Sequence, residues 1–252
     1  MMLGCVTYNV LKDMDLETII KTLEATGYEA VELRTGHKHG VEPSIGPQER
    51  ERVKDRFQRS KVRLLSYGTT CEFQSPDPAL RRKQIEIGKQ FIDLAHDTGA
   101  WGIKVRPNTL PKDVPQETTI QNIASGLREL GSAGQGKGVE IWMEVHGRDT
   151  QNPPIAAAIM KATKNENVGL CWNSNPTDVV NGSVAPSFQL LKPWIRNAHI
   201  NDLTSNYPWR ELFKLLNEAH YERYTLCETA ESKEPERFLQ YYRALWMELN
   251  RP

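Results

Sequence analysis

The sequence predicts an α/β protein of the (β/α)8 TIM barrel class, and three observations predict it. Short apolar runs alternate with amphipathic helical stretches, the alternation repeats eight times, and no composition break or linker interrupts the 252 residues. Eight βα units in a chain of this length fit a closed barrel better than a doubly wound sheet, which usually has fewer units. The expected organisation is one domain spanning residues 1–252.

The elements follow in order. "LGCVTYN" reads as the first strand; a helix capped near Asp15 (LETIIKTLEAT) leads to "AVEL". "QERERVKDRFQRS" sets Val53 and Phe57 at i,i+4 among charges on every side, the pattern of a solvated helix. "VRLLSY" is the third strand, and Ile85, Phe91, Ile92 and Leu94 form the apolar stripe of the long helix "ALRRKQIEIGKQFIDLAHDTG". Next come "GIKV", the helix "TIQNIASGLRELGSAGQ", "EIWMEV", "PPIAAAIMKAT" and "VGLCW". A short helix near Phe188 to Leu191, "IRNAHI", "PWRELFKLLNEA", "YTLCE" and "EPERFLQYYRALWMEL" complete the series. "GSAGQGKG" is glycine-rich but joins a helix to a strand, so it reads as a loop and not a phosphate cradle. The chain has no H-E-x-x-H, P-loop or G-x-S-x-G motif.

Bulk properties exclude several functions. Lys+Arg and Asp+Glu are both 32, and this balance argues against binding nucleic acid through the overall field. No 18-residue apolar run exists, and the opening "MMLGCVTYNV" lacks a charged leader region, so a soluble, cytoplasmic protein is expected. Cys5, Cys71, Cys171 and Cys227 are far apart and read as reduced, buried thiols.

Position within a barrel carries meaning, because barrel active sites lie at the C-terminal strand ends. Side chains alternate along a strand. In "EIWMEVHG", Ile141, Met143 and Val145 suit the helix layer, leaving Glu140, Trp142, Glu144 and His146 inward. The same parity points Cys171 and Asn173, Asn197 and His199, and Leu226 and Glu228 inward. Glu144, Asn173, His199 and Glu228 therefore converge from four consecutive strands. Two carboxylates, an imidazole and an amide oxygen suit a divalent ion such as Mn²⁺, Mg²⁺, Co²⁺ or Zn²⁺. The competing account is a polar plug.

Other groups gather at the same end. Lys104 and Arg106 share the inward parity of the fourth strand, either balancing charge or contacting an oxyanion or acidic substrate. Glu32 and Arg34 close the second strand, where an ion pair is expected. His37 and His39 follow in a loop, with at least one expected on the surface. Asp202 is a candidate to orient His199, and Arg148 is a weaker substrate candidate. Trp209 is expected to pack in the first turn of its helix.

A Glu ending the fifth strand, an acid position after the sixth, "HI-D" on the seventh and Glu on the eighth resemble the xylose isomerase-like barrel superfamily. The chain is similar to its sugar phosphate isomerase/epimerase branch, which includes ketose 3-epimerases, hydroxypyruvate isomerase and inosose dehydratase. The resemblance covers essentially the whole chain, strongest at "EVHG" and "HIND" and fair at "VELRTGHKHG" and "LCETA". It implies metal ligation by Glu144, the Asn173 position, His199 and Glu228, and contact between His146 and a substrate hydroxyl. The family usually has Asp where this chain has Asn173. The amide either tunes the metal, as a less neutralised and stronger Lewis acid, or marks a site that has lost it.

Three functions follow from that resemblance. The first is a metal-dependent isomerase or epimerase acting on a keto-sugar or sugar derivative, with Glu144 and Glu228 as acid/base pair and Lys104, Arg106, His146, Glu32 and Arg148 around the substrate. The second is a dehydratase, lyase or hydratase using the same site. The third is a catalytically silent sugar-binding barrel. Endonuclease IV shares the superfamily, but its trinuclear site needs extra His and Asp ligands that this chain does not show. The expected partner is a small carbohydrate, without nucleic acid or membrane. A homo-oligomer would use the aromatic last helix (Tyr241, Tyr242, Trp246), which otherwise packs on the barrel.

Overall fold

A computed structural model describes residues 1–251. Eight strands and eight helices alternate: β1 (Met2–Asn9), α1 (Leu16–Thr26), β2 (Ala30–Arg34), α2 (Pro47–Gln58), β3 (Arg63–Glu72), α3 (Pro78–Thr98), β4 (Gly102–Arg106) and α4 (Gln116–Gln135) form the first half. The second half is β5 (Glu140–Glu144), α5 (Pro153–Thr163), β6 (Val168–Trp172), α6 (Ala185–Leu191), β7 (Ile195–Ile200), α7 (Trp209–Glu218), β8 (Tyr224–Thr229) and α8 (Pro235–Leu249). All strands are parallel and close in sequence order, β8 pairing β1, so the chain folds as a (β/α)8 TIM barrel.

Local chemistry sets the elements. Asp15 caps α1 by accepting a hydrogen bond from the Thr18 N–H at 2.8 Å, and left-handed Gly27 ends it. Val53 and Phe57 are the buried residues of α2, as its charged pattern requires. Strand alternation sorts side chains into two apolar layers. Trp142, Cys171 and Leu226 fill the barrel interior with Val6, Ala30, Leu65 and Tyr224. Ile141, Met143, Leu170 and Trp172 pack outward against the helices.

The helix expectation holds for the first half of the glycine-rich stretch and the loop expectation for the second. The "GSAGQ" half of the glycine-rich stretch is the end of α4, and only Gly136–Gly138 leave the helix. A Cβ on Gly131 would meet Val168 Cγ2 at 2.6 Å, so these glycines allow α4 to press on the sheet. In the last helix, Tyr242 and Trp246 pack onto the barrel while Tyr241 is exposed. The Tyr242 hydroxyl donates to the Ile200 carbonyl at 2.8 Å, and Trp246 Nε1 donates to Thr225 Oγ1 at 3.0 Å. Trp209 is buried, donating to the Asp202 carbonyl. All four cysteines are buried and free. No helix among the described residues is long and apolar enough to cross a membrane.

Candidate metal centre

At the C-terminal strand ends, β5, β7 and β8 bring Glu144, His199 and Glu228 together. One ligand atom from each lies within 4.8 Å of the others, a spacing that can hold a metal ion. His199 Nδ1 stands 3.5 Å from Glu144 Oε1 and 3.2 Å from Glu228 Oε2. It makes no hydrogen bond, although the ring is fully buried. Asn173, next after β6, is 6% exposed, and its Oδ1 is a buried acceptor without a donor. Such an atom costs free energy unless a bound group, such as a cation, satisfies it. The donor set and the orphaned amide oxygen together fit a divalent ion.

The loop after β6 holds Asn173 in place. Ser174 adopts a left-handed backbone (φ 43) and donates to the His199 carbonyl at 2.9 Å. Asn175 Nδ2 donates to the Val145 carbonyl at 2.6 Å, while its own N–H donates to Asp178 Oδ2 at 2.7 Å. These side chains staple the loop to β5 and β7. Burial pushes Asp178 up to about 7, despite donors from Tyr207 and Asn175.

Glu32 lies beneath the ligands and away from the cavity wall, which corrects its expected place beside substrate. It is fully buried, with Oε1 3.3 Å from His199 Nε2 and Oε2 accepting from Ser66 Oγ at 2.7 Å. A shift of register between β2 and β3 sets Ser66 opposite Glu32. Neither Glu32 Oε1 nor His199 Nε2 makes a hydrogen bond, so the carboxylate faces the far ring nitrogen as a nearby charge. It stands on the side from which a carboxylate supports a ligating His. Asp202, expected in that role, is exposed and caps a turn through Thr204. The expected Glu32–Arg34 ion pair is also absent: Arg34 donates to the Thr35 carbonyl instead.

Charges in the site are strongly coupled. Burial opposes ionisation of Glu144, but Lys104, whose Nζ is 2.7 Å from Glu144 Oε2, acts with His199 and His146 to outweigh it, and together they hold the carboxyl well below the usual range. Burial likewise opposes the charge on Lys104, and Glu144, Glu32 and Glu228 restore it. Around His199 burial disfavours the imidazolium, whereas Cys171, Glu228 and Glu32 favour it and raise its pKa well above normal. Cys171 is itself pushed up to about 11 by burial and stays a neutral thiol, so the two carboxylates are the physical cause.

A cavity of about 480 Å³, within the range of small-molecule sites, opens above these groups. Its wall includes Lys104, Arg106, Glu144, His146, Asn173 and Glu228. Arg148 does not line it: that side chain is 67% exposed, beside Asp149. His146 Nδ1 is buried and unpartnered. Gly147 (φ 94) ends "EVHG" as glycine because a Cβ there would collide with the Asn108 backbone. His39 is buried against the Arg34 carbonyl, and half-buried His37 stacks on Tyr8, so neither is an ordinary surface residue. Asn9, Thr69, Gln151, Asn175 and Asn201 also reach the wall; as single polar residues scattered over strands and loops they leave no pattern in the sequence.

Comparison with known proteins agrees with the barrel fold. A family model described as xylose isomerase-like TIM barrel matches residues 20–246. D-psicose 3-epimerase from Clostridium cellulolyticum H10, solved with D-tagatose, has a TM-score of 0.85 at 13% identity, covering 100% of both chains. An IOLI protein with a zinc atom has a TM-score of 0.82 at 17% identity, over 99% of this chain and 98% of that one. The probable 3-DHS dehydratase AsbF of Bacillus anthracis has a TM-score of 0.75 at 13% identity, over 98% of this chain and 99% of that one. A search of curated proteins finds no significant match.

Proposed function

The chain belongs to the xylose isomerase-like TIM barrel family, and on that premise we propose that it is a divalent-metal-dependent isomerase or epimerase of a keto-sugar or sugar derivative. The observation that carries this reading is the unpartnered Asn173 Oδ1 on the same wall as Glu144 and Glu228, above the buried His199. The zinc atom of the IOLI protein and the ketose epimerase activity named for the psicose enzyme support it.

Glu144, Asn173, His199 and Glu228 would hold the ion, which when bound supplies Lewis-acid polarisation of the substrate carbonyl. Glu144 and Glu228 approach from β5 and β8 and so serve as the acid/base pair. One carboxylate takes the proton from the carbon next to the carbonyl. The other, loaded with a proton from solvent, gives that proton to the opposite face, yielding an epimer, or to the neighbouring carbon, yielding an isomer. Lys104 keeps Glu144 ionised and adds positive charge where the substrate oxygen becomes negative. His146 offers a ring nitrogen to a substrate hydroxyl. Loss of a β-hydroxyl from the same carbanion would make the enzyme a dehydratase, the activity named for AsbF.

Elemental analysis after reloading with Mn²⁺, Co²⁺ or Zn²⁺ should find bound ion, and its absence would leave the silent sugar-binding barrel as the reading. A panel of ketoses incubated in D₂O should take up deuterium at the α-carbon, and Glu144→Gln and Glu228→Gln should each suppress this. Turnover without exchange, with both variants still active, would point to hydride transfer instead.

A further inference from the structure

The four candidate ligands all come from β5 to β8, so the opposite wall is free to receive the rest of a substrate. That wall carries Val6, Tyr8 and Asn9 from β1, Arg34 from β2, Thr69 from β3, and Lys104 and Arg106 from β4. Lys104 is committed to Glu144. The two arginines are not similarly occupied. Arg34 makes no ion pair among the described residues, and its guanidinium donates to the Thr35 carbonyl. Arg106 has only Glu72 Oε2, at 3.8 Å, and its Nε is buried without an acceptor. Neither guanidinium is closely paired with a carboxylate, so both can meet an anion in the cavity.

The charge balance points the same way. Arg34, Lys104 and Arg106 already offset Glu32, Glu144 and Glu228, and Asn173 adds no anion. A divalent ion therefore leaves a surplus of two positive charges, or one if Glu72 is counted with Arg106. A neutral sugar would leave that surplus standing. With an acid in place of Asn173 it would be smaller.

We propose that the substrate carries an anionic group, a carboxylate or phosphate, at the end remote from its reacting carbonyl, and that this group docks on Arg106 and Arg34. The proposal rests on reading the site as that of a keto-sugar enzyme. Arg106 is the specificity-determining residue: its fork accepts a two-oxygen anion side by side, while Arg34 closes on it from β2.

The test compares D-fructose, D-fructuronate and D-fructose 6-phosphate, which share the ketone end and differ at C6. Affinities for Mn²⁺-loaded protein are measured by calorimetry or ligand-observed NMR. At least one anionic probe should bind about ten-fold or more tightly than fructose, as charge-assisted hydrogen bonds allow. The better of the two identifies carboxylate or phosphate. Arg106→Met should abolish the preference by weakening the anionic probe far more than fructose while leaving Mn²⁺ content unchanged, and Arg34→Met should reduce it. No preference for either anion, including failure of both to bind, overturns the proposal, as does a preference that survives Arg106→Met. Metal content and α-deuteration of fructose are read separately. Exchange of the neutral ketose without anion preference sinks this inference alone. Absence of metal sinks the functional reading, and the same titrations on metal-free protein still judge the arginines.

Discussion

Replacing Lys104 by Met tests how the site is held together without any ion. Lys104 and Glu144 form an ion pair at 2.7 Å between side chains 7% and 3% exposed. Methionine fills nearly the same space but leaves the Glu144 carboxylate without its donor. Removing one partner of a buried pair typically costs about 3–5 kcal/mol, because the remaining charge stays buried. Here His199 Nδ1, 3.5 Å from the other carboxylate oxygen, takes up part of that charge, which places the expected loss near the lower end, about 3 kcal/mol. For a chain of this size each kcal/mol lowers Tm by roughly 2–4 °C, so the shift should be about 6–12 °C. Urea unfolding of EDTA-treated protein at pH 7 measures it directly. The sign with pH follows from Glu144, whose folded pKa is lowered: its stabilisation is present above the unfolded carboxylate pKa and fades as pH falls below it. The double variant Lys104→Met/Glu144→Gln should recover much of the loss, since it leaves no unpaired charge. A single variant within about 1 kcal/mol of the parent, or a double variant no more stable than the single, would refute the buried-charge account.

Three further outcomes are expected. Glu32→Gln should weaken metal binding by about 10–100-fold in chelator competition, because His199 loses the carboxylate on its far nitrogen; unchanged affinity would mean that Glu32 only fills the barrel floor. Asn173→Asp should tighten the metal by on the order of ten-fold while slowing turnover, through a third anionic ligand and a weaker Lewis acid; a variant that gains in both would show Asn173 to be a degraded ligand. Asp178 has its folded pKa raised from 3.8 to about 7, so the native state holds the extra proton between those values and stability should fall as pH rises through that window. Asp178→Asn keeps an acceptor for Tyr207 and Asn175, and should flatten that decline relative to the parent in chemical unfolding at pH 4.5, 5.5 and 6.5.

Much of the site was legible because strand parity is local. The period of two that sends Met143 to the helices sends Glu144 inward, and the same rule sends His199 and Glu228 to the cluster they form with it, without tertiary information. The resemblance named the family and its metal chemistry. Parity does not report depth, and the errors follow from that. Glu32 has the inward parity of a substrate contact, yet lies one layer down under His199. Arg148 follows the right strand, but Gly147 turns the chain and leaves it in solvent.

Sequence by itself determined the eight βα units, their order, and which face of each strand meets the axis. These follow from hydrophobic periodicity, capping and turn chemistry within a few residues. Tertiary structure alone decided which carboxylate lies against His199, which cation holds Glu144, and which arginines reach the cavity without a close acidic partner. Those contacts cross between strands, and their heights depend on barrel stagger and on register shifts between β2 and β3, β3 and β4, and β6 and β7. A single-residue shift moves a side chain by about 3.3 Å along the strand. That distance is the difference between a ligand, the group beneath it and the substrate above it.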